Sequence, residues 1–373
     1  MKIKKFPLVK PSIIARDIKE VGRVLRSGWF TQGRYVQKLE RLIEDYNKIK
    51  HAFLLNSATS GLILSLKILN LNQKDEVIVP AFTFPATVNS VITSGAKPVF
   101  CDVDLKTFNI SVENIAPLIN HHTKAIIAVH QFGLSADIKN IEKICREHRL
   151  FLIEDAACSL GAEYKNRKTG TFGDMGIFSF HPRKIITSGE GGCIITKSDD
   201  FAKRISALRN HGEYNKRFIK AGFNFRMSDI QAALLFSQFK RLESIIAKRI
   251  KLALNYNRLL KPLAQECLLQ LPLCPQNSRH TYQSYVLLLS QGIDRDRLIV
   301  LLKKEGIEVQ IGTYCVPTLD YYRNNFSIPW CSYQNSFFTY KHSLTLPLYH
   351  DLRNSEQEFI VGKLRKLVKK CAV

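Results

Sequence analysis

The chain reads as an α/β protein: a large domain with a mostly parallel sheet sandwiched by helices, followed by a smaller C-terminal α/β domain. Three observations predict this. Short apolar runs recur at 51–55, 76–79, 97–102, 125–129, 151–154, 176–180 and 193–196, the length of buried strands. Segments of helical periodicity lie between several of them, the β–α alternation that yields parallel pairing. Several runs end in acids or small hydroxyl residues and then a turn, as strands do at the carboxyl edge of a sheet where α/β proteins hold ligands.

Residues 13–26 have a helical repeat that stops at Ser27-Gly28, a usual helix exit. Gly33 lies in a turn before a second amphipathic helix at 36–46. The strand 51–55 feeds Asn56-Ser57-Ala58-Thr59-Ser60-Gly61 and an apolar helix at 62–71. A strand running through small hydroxyl residues into a helix start forms an anion site, because free N–H groups and the helix dipole converge there. Thr59 and Ser60 are therefore candidates to hold a phosphate; plain N-capping is the alternative. After 76–79, the turn Pro80-Ala81-Phe82-Thr83-Phe84-Pro85 opens a helix at 86–94. Phe84 would stack on a planar ring at the sheet edge or be ordinary core. A helix at 137–148 and another at 199–208 accompany the later strands. Ser228 or Asp229 caps a long helix over 231–259 that links the two domains, divided as 1–245 and 246–373. In the second, strands are expected at 282–289 and 307–311 and helices at 295–305 and 356–370.

At 373 residues the chain can bury a substantial core, and 45% apolar content shows no disorder signature. No secretory signal is visible, and no apolar run is long enough to span a bilayer. Nine cysteines are scattered without a Cys-x-x-Cys pair, which argues against a zinc site or disulfide framework and fits a reducing cytoplasm. The net charge of +23 would attract an anionic partner. Its basic residues are spread along the chain with no nucleic-acid motif, so a lysine-rich surface that steers an anionic substrate is the favoured reading.

The chemistry concentrates at 153–192. The run 149–155 ends in Glu154-Asp155, and the run 175–180 leads through His181-Pro182-Arg183 to Lys184 and a glycine-rich turn (Gly189, Gly191, Gly192). A carboxylate and an amine arriving at one edge are what pyridoxal phosphate needs: a lysine to form the imine, and an anion to keep the ring nitrogen protonated.

Taken together, KPS at 10–12, SGWFTQG at 27–33, EVIVPAFTFPAT at 76–87, KPVFCDVD at 97–104, EDAA at 154–157, GDMGIFSFHPRK at 173–184, GEGG at 189–192 and GFNFRMSDIQAAL at 222–234 resemble the DegT/DnrJ/EryC1/StrS sugar aminotransferases, over nearly the whole chain. That resemblance implies the fold-type I architecture of pyridoxal phosphate enzymes with a seven-stranded sheet. It implies a homodimer with shared active sites, alongside the expectation of no membrane insertion and no nucleic-acid partner drawn from the apolar runs and the spread of charge. It implies transfer of an amino group from L-glutamate to a keto group of a nucleotide-diphosphate sugar. Lys184 would be the Schiff-base lysine and proton carrier, and Asp155 would pair with the pyridine nitrogen. Ser179, Thr59 and Ser60 would bind the cofactor phosphate, Phe84 would lie against the ring, and Asn224 would reach the phosphate of the neighbouring subunit. A lysine is ordinarily protonated near neutral pH and an ammonium cannot attack a carbonyl, so the role demands surroundings that favour the free amine.

Two departures stand out. Many relatives have Gln or His three residues after the aspartate; here Cys158 stands there, expected to pack against the cofactor without a catalytic role. The loop 312–319 lacks the histidine many relatives have after Tyr-x-Pro. His181 is expected only to orient its turn. The rival readings are a same-fold sugar dehydratase, which would replace the lysine or add cluster cysteines, and a non-catalytic regulatory member, against which an intact Asp155–Lys184–Ser179 set argues.

Overall fold

The computed structural model describes residues 4–326 and 332–372. Seven strands form the main sheet: β1 (His51–Leu55), β2 (Glu76–Pro80), β3 (Lys97–Cys101), β4 (Thr123–Val129), β5 (Phe151–Asp155), β6 (Met175–Ser179) and β7 (Gly192–Thr196). Their order is β1-β7-β6-β5-β4-β2-β3. Pairs from β3 to β6 are parallel, and only β7 runs against both its neighbours. Alternate residues face opposite layers. Ala125, Ile127, Ile153 and Ile177 pack under α3 (Ala58–Lys67), α4 (Pro85–Ser94) and α6 (Asp199–Arg209). Ile126, Ala128 and Leu152 pack against α5 (Ile138–His148), and Leu54, Phe178 and Cys193 against α2 (Arg34–Asn47) and α7 (Asp229–Phe239). Burial on both faces explains why these strands are apolar throughout and not alternating.

A second core gathers α8 (Leu242–Gln265), α9 (Arg295–Lys304) and the helix Asn354–Val368 around an antiparallel sheet of β8 (Leu269–Gln270), β9 (Tyr285–Leu289) and β10 (Ser343–Leu346), ordered β8-β9-β10. Phe6 joins this core from the far end of the sequence: its N–H reaches the Gly306 carbonyl at 2.8 Å, and its ring stacks on Phe359 at 5.2 Å. Helix α8 serves both cores, giving Ile245 and Ile246 to one and Leu252 through Leu263 to the other.

Several expectations are corrected. The single helix over 231–259 is two helices broken at Lys240-Arg241. The break lets the Arg241 guanidinium reach Asp17 at 2.8 Å and the Ser12 carbonyl at 3.2 Å. The strand at 307–311 reduces to isolated bridges from Ile307 to Phe6 and from Gln310 to Thr345. Its place in the sheet belongs to β10, whose short run carries no distinctive period. Helix α3 starts at Ala58, four residues before the apolar run that suggested it. Among the described residues, no helix is long and apolar enough to cross a membrane, and no group of His, Cys, Asp and Glu could hold a metal ion. Every cysteine among them is unpaired; Cys331 lies outside the described residues.

The two capping candidates divide their work. Ser228 accepts the Gln231 N–H at 3.2 Å and caps α7. Asp229, buried, turns to a different helix and accepts the Tyr35 and Val36 N–H groups at 3.0 and 2.9 Å, closing the start of α2. Gly33 opens that helix because a Cβ there would lie 2.6 Å from the Asp229 carboxylate. Replacing Asp229 by Ala strands two buried amide donors, so unfolding in urea should show a stability loss of about 1–2 kcal/mol.

Candidate active site

Asp155 is the last residue of β5 and is almost fully buried. Its Oδ2 accepts the Thr87 hydroxyl at 2.8 Å and its Oδ1 the Ala157 N–H at 3.2 Å. Burial pushes its pKa up, while these two bonds and the charge of nearby Lys184 pull the other way. Glu154, one residue earlier, faces the opposite layer and is wholly buried. It accepts the amides of Gly170, Phe172 and Gly173 at 2.8, 2.6 and 2.7 Å, together with His130 Nε2 at 2.9 Å. The other ring nitrogen of His130 accepts the Ala136 N–H at 3.0 Å, so the proton sits on Nε2 and points at Glu154. Glu154 thus secures a loop, and Asp155 is the acid left at the edge.

Beyond β6 the chain turns tightly, with the Lys184 N–H on the His181 carbonyl at 2.8 Å and the Arg183 N–H on His181 Nδ1 at 3.2 Å. His181 orients the turn, as expected. Lys184 is half-buried, and its Nζ lies 3.1 Å from the Cys158 sulfur. Cys158 therefore meets the amine itself.

The strand register carries the remaining polar groups to the same edge. Leu55 pairs with Gly192, and Gly192 pairs with Ser179. A Cβ on Gly192 would sit 2.4 Å from the Ser57 carbonyl, so only glycine lets β7 start this close to α3. Capping of α3 falls to Ser57, which accepts the Ser60 N–H at 3.1 Å. Ser60 is buried and donates to Asn56 at 2.6 Å, while Thr59 is exposed at the helix start. Ser179 is buried, and its hydroxyl oxygen accepts the His181 N–H at 3.4 Å. Phe84, at the start of α4, is 63% exposed with Tyr314 as its ring neighbour at 6.3 Å, so it is not core. Asn224 is exposed; its carbonyl takes Asn56 Nδ2 at 3.4 Å, and its side-chain oxygen takes Arg226 Nε at 3.1 Å.

The roles of Thr87, Glu154 and Ser57 do not follow from the sequence pattern alone. The position of Thr87 was within reach, since it lies three residues after Phe84 and so on the same side of α4.

The sequence pattern of the DegT/DnrJ/EryC1/StrS aminotransferase family matches residues 11–365. The chain belongs to this family. It is 36% identical to the UDP-4-amino-4-deoxy-L-arabinose–oxoglutarate aminotransferase of Shewanella sediminis, over 97% of this chain and 98% of that one. Helicobacter pylori PseC, an aminotransferase involved in the biosynthesis of pseudoaminic acid, superposes with a TM-score of 0.89 at 29% identity, covering 98% of this chain and all of that one (100%). The PLP form of Streptococcus pneumoniae Spr1654 gives a TM-score of 0.93 at 26% identity, with 99% and 100% covered. The fold is therefore that of the DegT/DnrJ/EryC1/StrS aminotransferases along its whole length, with the seven-stranded sheet that the resemblance implied.

Because burial raises the Asp155 pKa, ionising this group costs folding stability. The cost is absent at low pH, where the carboxyl is protonated folded or unfolded; it grows as the pH rises above the unfolded-state value and is complete once the pH passes the folded-state value. Asp155→Asn stays neutral throughout, and the Thr87 hydroxyl can turn to suit it. The cofactor-free variant should melt with wild type near pH 4 and at least about 2 °C higher at pH 8.

Proposed function

We propose that the protein is a pyridoxal phosphate-dependent aminotransferase that carries an amino group from L-glutamate to a keto group of a nucleotide-diphosphate sugar, in the synthesis of surface polysaccharide or related glycan sugars. The observation that carries this reading is the meeting, at one sheet edge, of a half-buried lysine amine and a buried carboxylate near enough to feel its charge. The donor set fits the cofactor. The hydroxyls of Thr59 and Ser179 at the start of α3 and the end of β6 suit a phosphate, and the Ser60 hydroxyl would join them by turning from Asn56. The exposed Phe84 ring suits one face of a pyridine. Asp155, held by Thr87 and Ala157, would as a carboxylate keep a proton on the ring nitrogen, the ring's positive charge offsetting the burial that raises its pKa.

When bound, pyridoxal phosphate supplies an aldehyde for the lysine and a protonated ring that draws electrons from the substrate carbon. Lys184 Nζ would move a proton to and from the donor's α-carbon, a task for the amine rather than the ammonium. Cys158 beside it offers that amine only a weak partner and does not hold it away from the substrate. The named activity of the Shewanella sediminis relative supports a nucleotide-sugar acceptor, and the surplus of 55 Lys and Arg over 32 Asp and Glu would steer such an anion inward. Asn224, exposed on the rim, would meet the phosphate in a second copy of the chain, making a cytoplasmic homodimer with shared sites.

Borohydride treatment of the cofactor-saturated protein should label Lys184. Lys184→Ala should lose the label and at least ~10³ of its glutamate turnover against a panel of nucleotide keto-sugars. An active, unlabelled wild type would end this assignment.

A further inference from the structure

The loop that presents Lys184 is gripped on both sides by buried glutamines. On its C-terminal side, Gln238 of α7 accepts the Thr187 N–H at 3.1 Å and donates to the Thr187 carbonyl at 2.7 Å. On its N-terminal side, Gln283 donates Nε2 to the carbonyl of Arg183, the residue before the lysine, at 2.7 Å. Both amides are nearly inaccessible to water, 1% and 5% exposed, so neither bond is exchanged freely for solvent.

Gln283 belongs to the other core, in the segment leading into β9. That segment is anchored independently of its side chain. Arg249, buried in α8, donates Nε to the Tyr282 carbonyl at 3.0 Å and Nη2 to the Gln283 carbonyl at 2.7 Å. Thr281 N–H bonds the Gly133 carbonyl at 3.0 Å, and Ser284 N–H bonds the Phe132 carbonyl at 3.2 Å. Gly133 has a positive φ of 105°, and a Cβ there would meet Thr281 at 2.6 Å, so the approach is built in. The loop holding Phe132 and Gly133 begins at His130, whose N–H bonds the Asp155 carbonyl at 3.1 Å. One segment of the C-terminal unit thus touches the loop bearing the amine and the loop beside the acid.

We propose that Gln283 is a positioning residue for Lys184: by fixing the Arg183 carbonyl from the C-terminal unit it sets where the lysine stem begins, as Gln238 does from the other side. The proposal rests on Lys184 being the residue that binds the cofactor covalently. A lysine stem has four rotatable bonds, and bond formation at its tip requires the backbone at its root to stay within a fraction of an ångström. The segment 281–284 keeps its own backbone bonds without the glutamine side chain, so losing that side chain frees the lysine loop more than it weakens the fold.

The test uses full-length protein stripped of cofactor and mixed with pyridoxal phosphate, following by absorbance the rate of covalent linkage, with the melting temperature of the stripped protein measured alongside. Gln283→Leu, which keeps volume and loses the donor, should slow linkage about tenfold while the melting temperature falls by no more than about 3 °C. Gln283→His, which retains an N–H at similar reach, should recover most of the rate. Linkage by the leucine variant at the wild-type rate would overturn the proposal. So would equal slowing in both variants together with an equal fall in melting temperature, which marks a purely structural role. Failure of the wild type to link at all would instead strike the assignment of Lys184.

Discussion

Parallel pairing imposes one rule on this molecule: strands that run the same way must finish at the same edge. The ends of β1, β2, β4, β5 and β6 bring the start of α3, the turn before Phe84, His130, Asp155 and Ser179 to one rim. Strand β7 runs the opposite way and so begins there, which lets Gly192 knit Leu55 to Ser179. No side chain needs to reach far, because backbone hydrogen bonding has already done the gathering. The connection from β6 to β7 must double back at that rim, and Lys184 rides on it.

The adjacent acids Glu154 and Asp155 show how solvation separates two chemically similar groups. Glu154 is surrounded by four donors, three of them backbone amides, and its charge is spent on holding a loop. Asp155 has two donors and a nearby cation, too few to offset its burial fully. An incompletely compensated carboxylate is the better partner for an incoming positive group, since such a group supplies what the protein withholds. The strand's alternation assigns these fates, one face to the packed layer and the other to the rim.

Much of this was legible in the residues. Strands buried on both faces announce themselves as apolar runs, and Asp155, Ser179 and Lys184 stand at strand ends or in the turn beyond, where their positions follow from the run itself. What escaped depends on partners distant in sequence. The break at Lys240-Arg241 answers to Asp17 and Ser12, which no local pattern couples to α7. Ser57 rather than Thr59 caps α3 because the helix starts a full turn before its apolar stripe. Strand β10 has too few residues to show a period, and the 307–311 run failed as a strand because it finds bridges but no continuous neighbour. The contact of Cys158 with the amine is a matter of side-chain reach that sequence does not carry.

The seat of Phe6 sets a timetable for the growing chain. Its partners, the Gly306 carbonyl and the Phe359 ring, leave the ribosome on the order of tens of seconds after it does, given synthesis at about 5–20 residues per second. Throughout that interval the large sheet can assemble from contacts already made, while Phe6 waits for its partners. The Phe6 segment therefore docks late, closing the C-terminal core across some of the longest sequence separations in the fold.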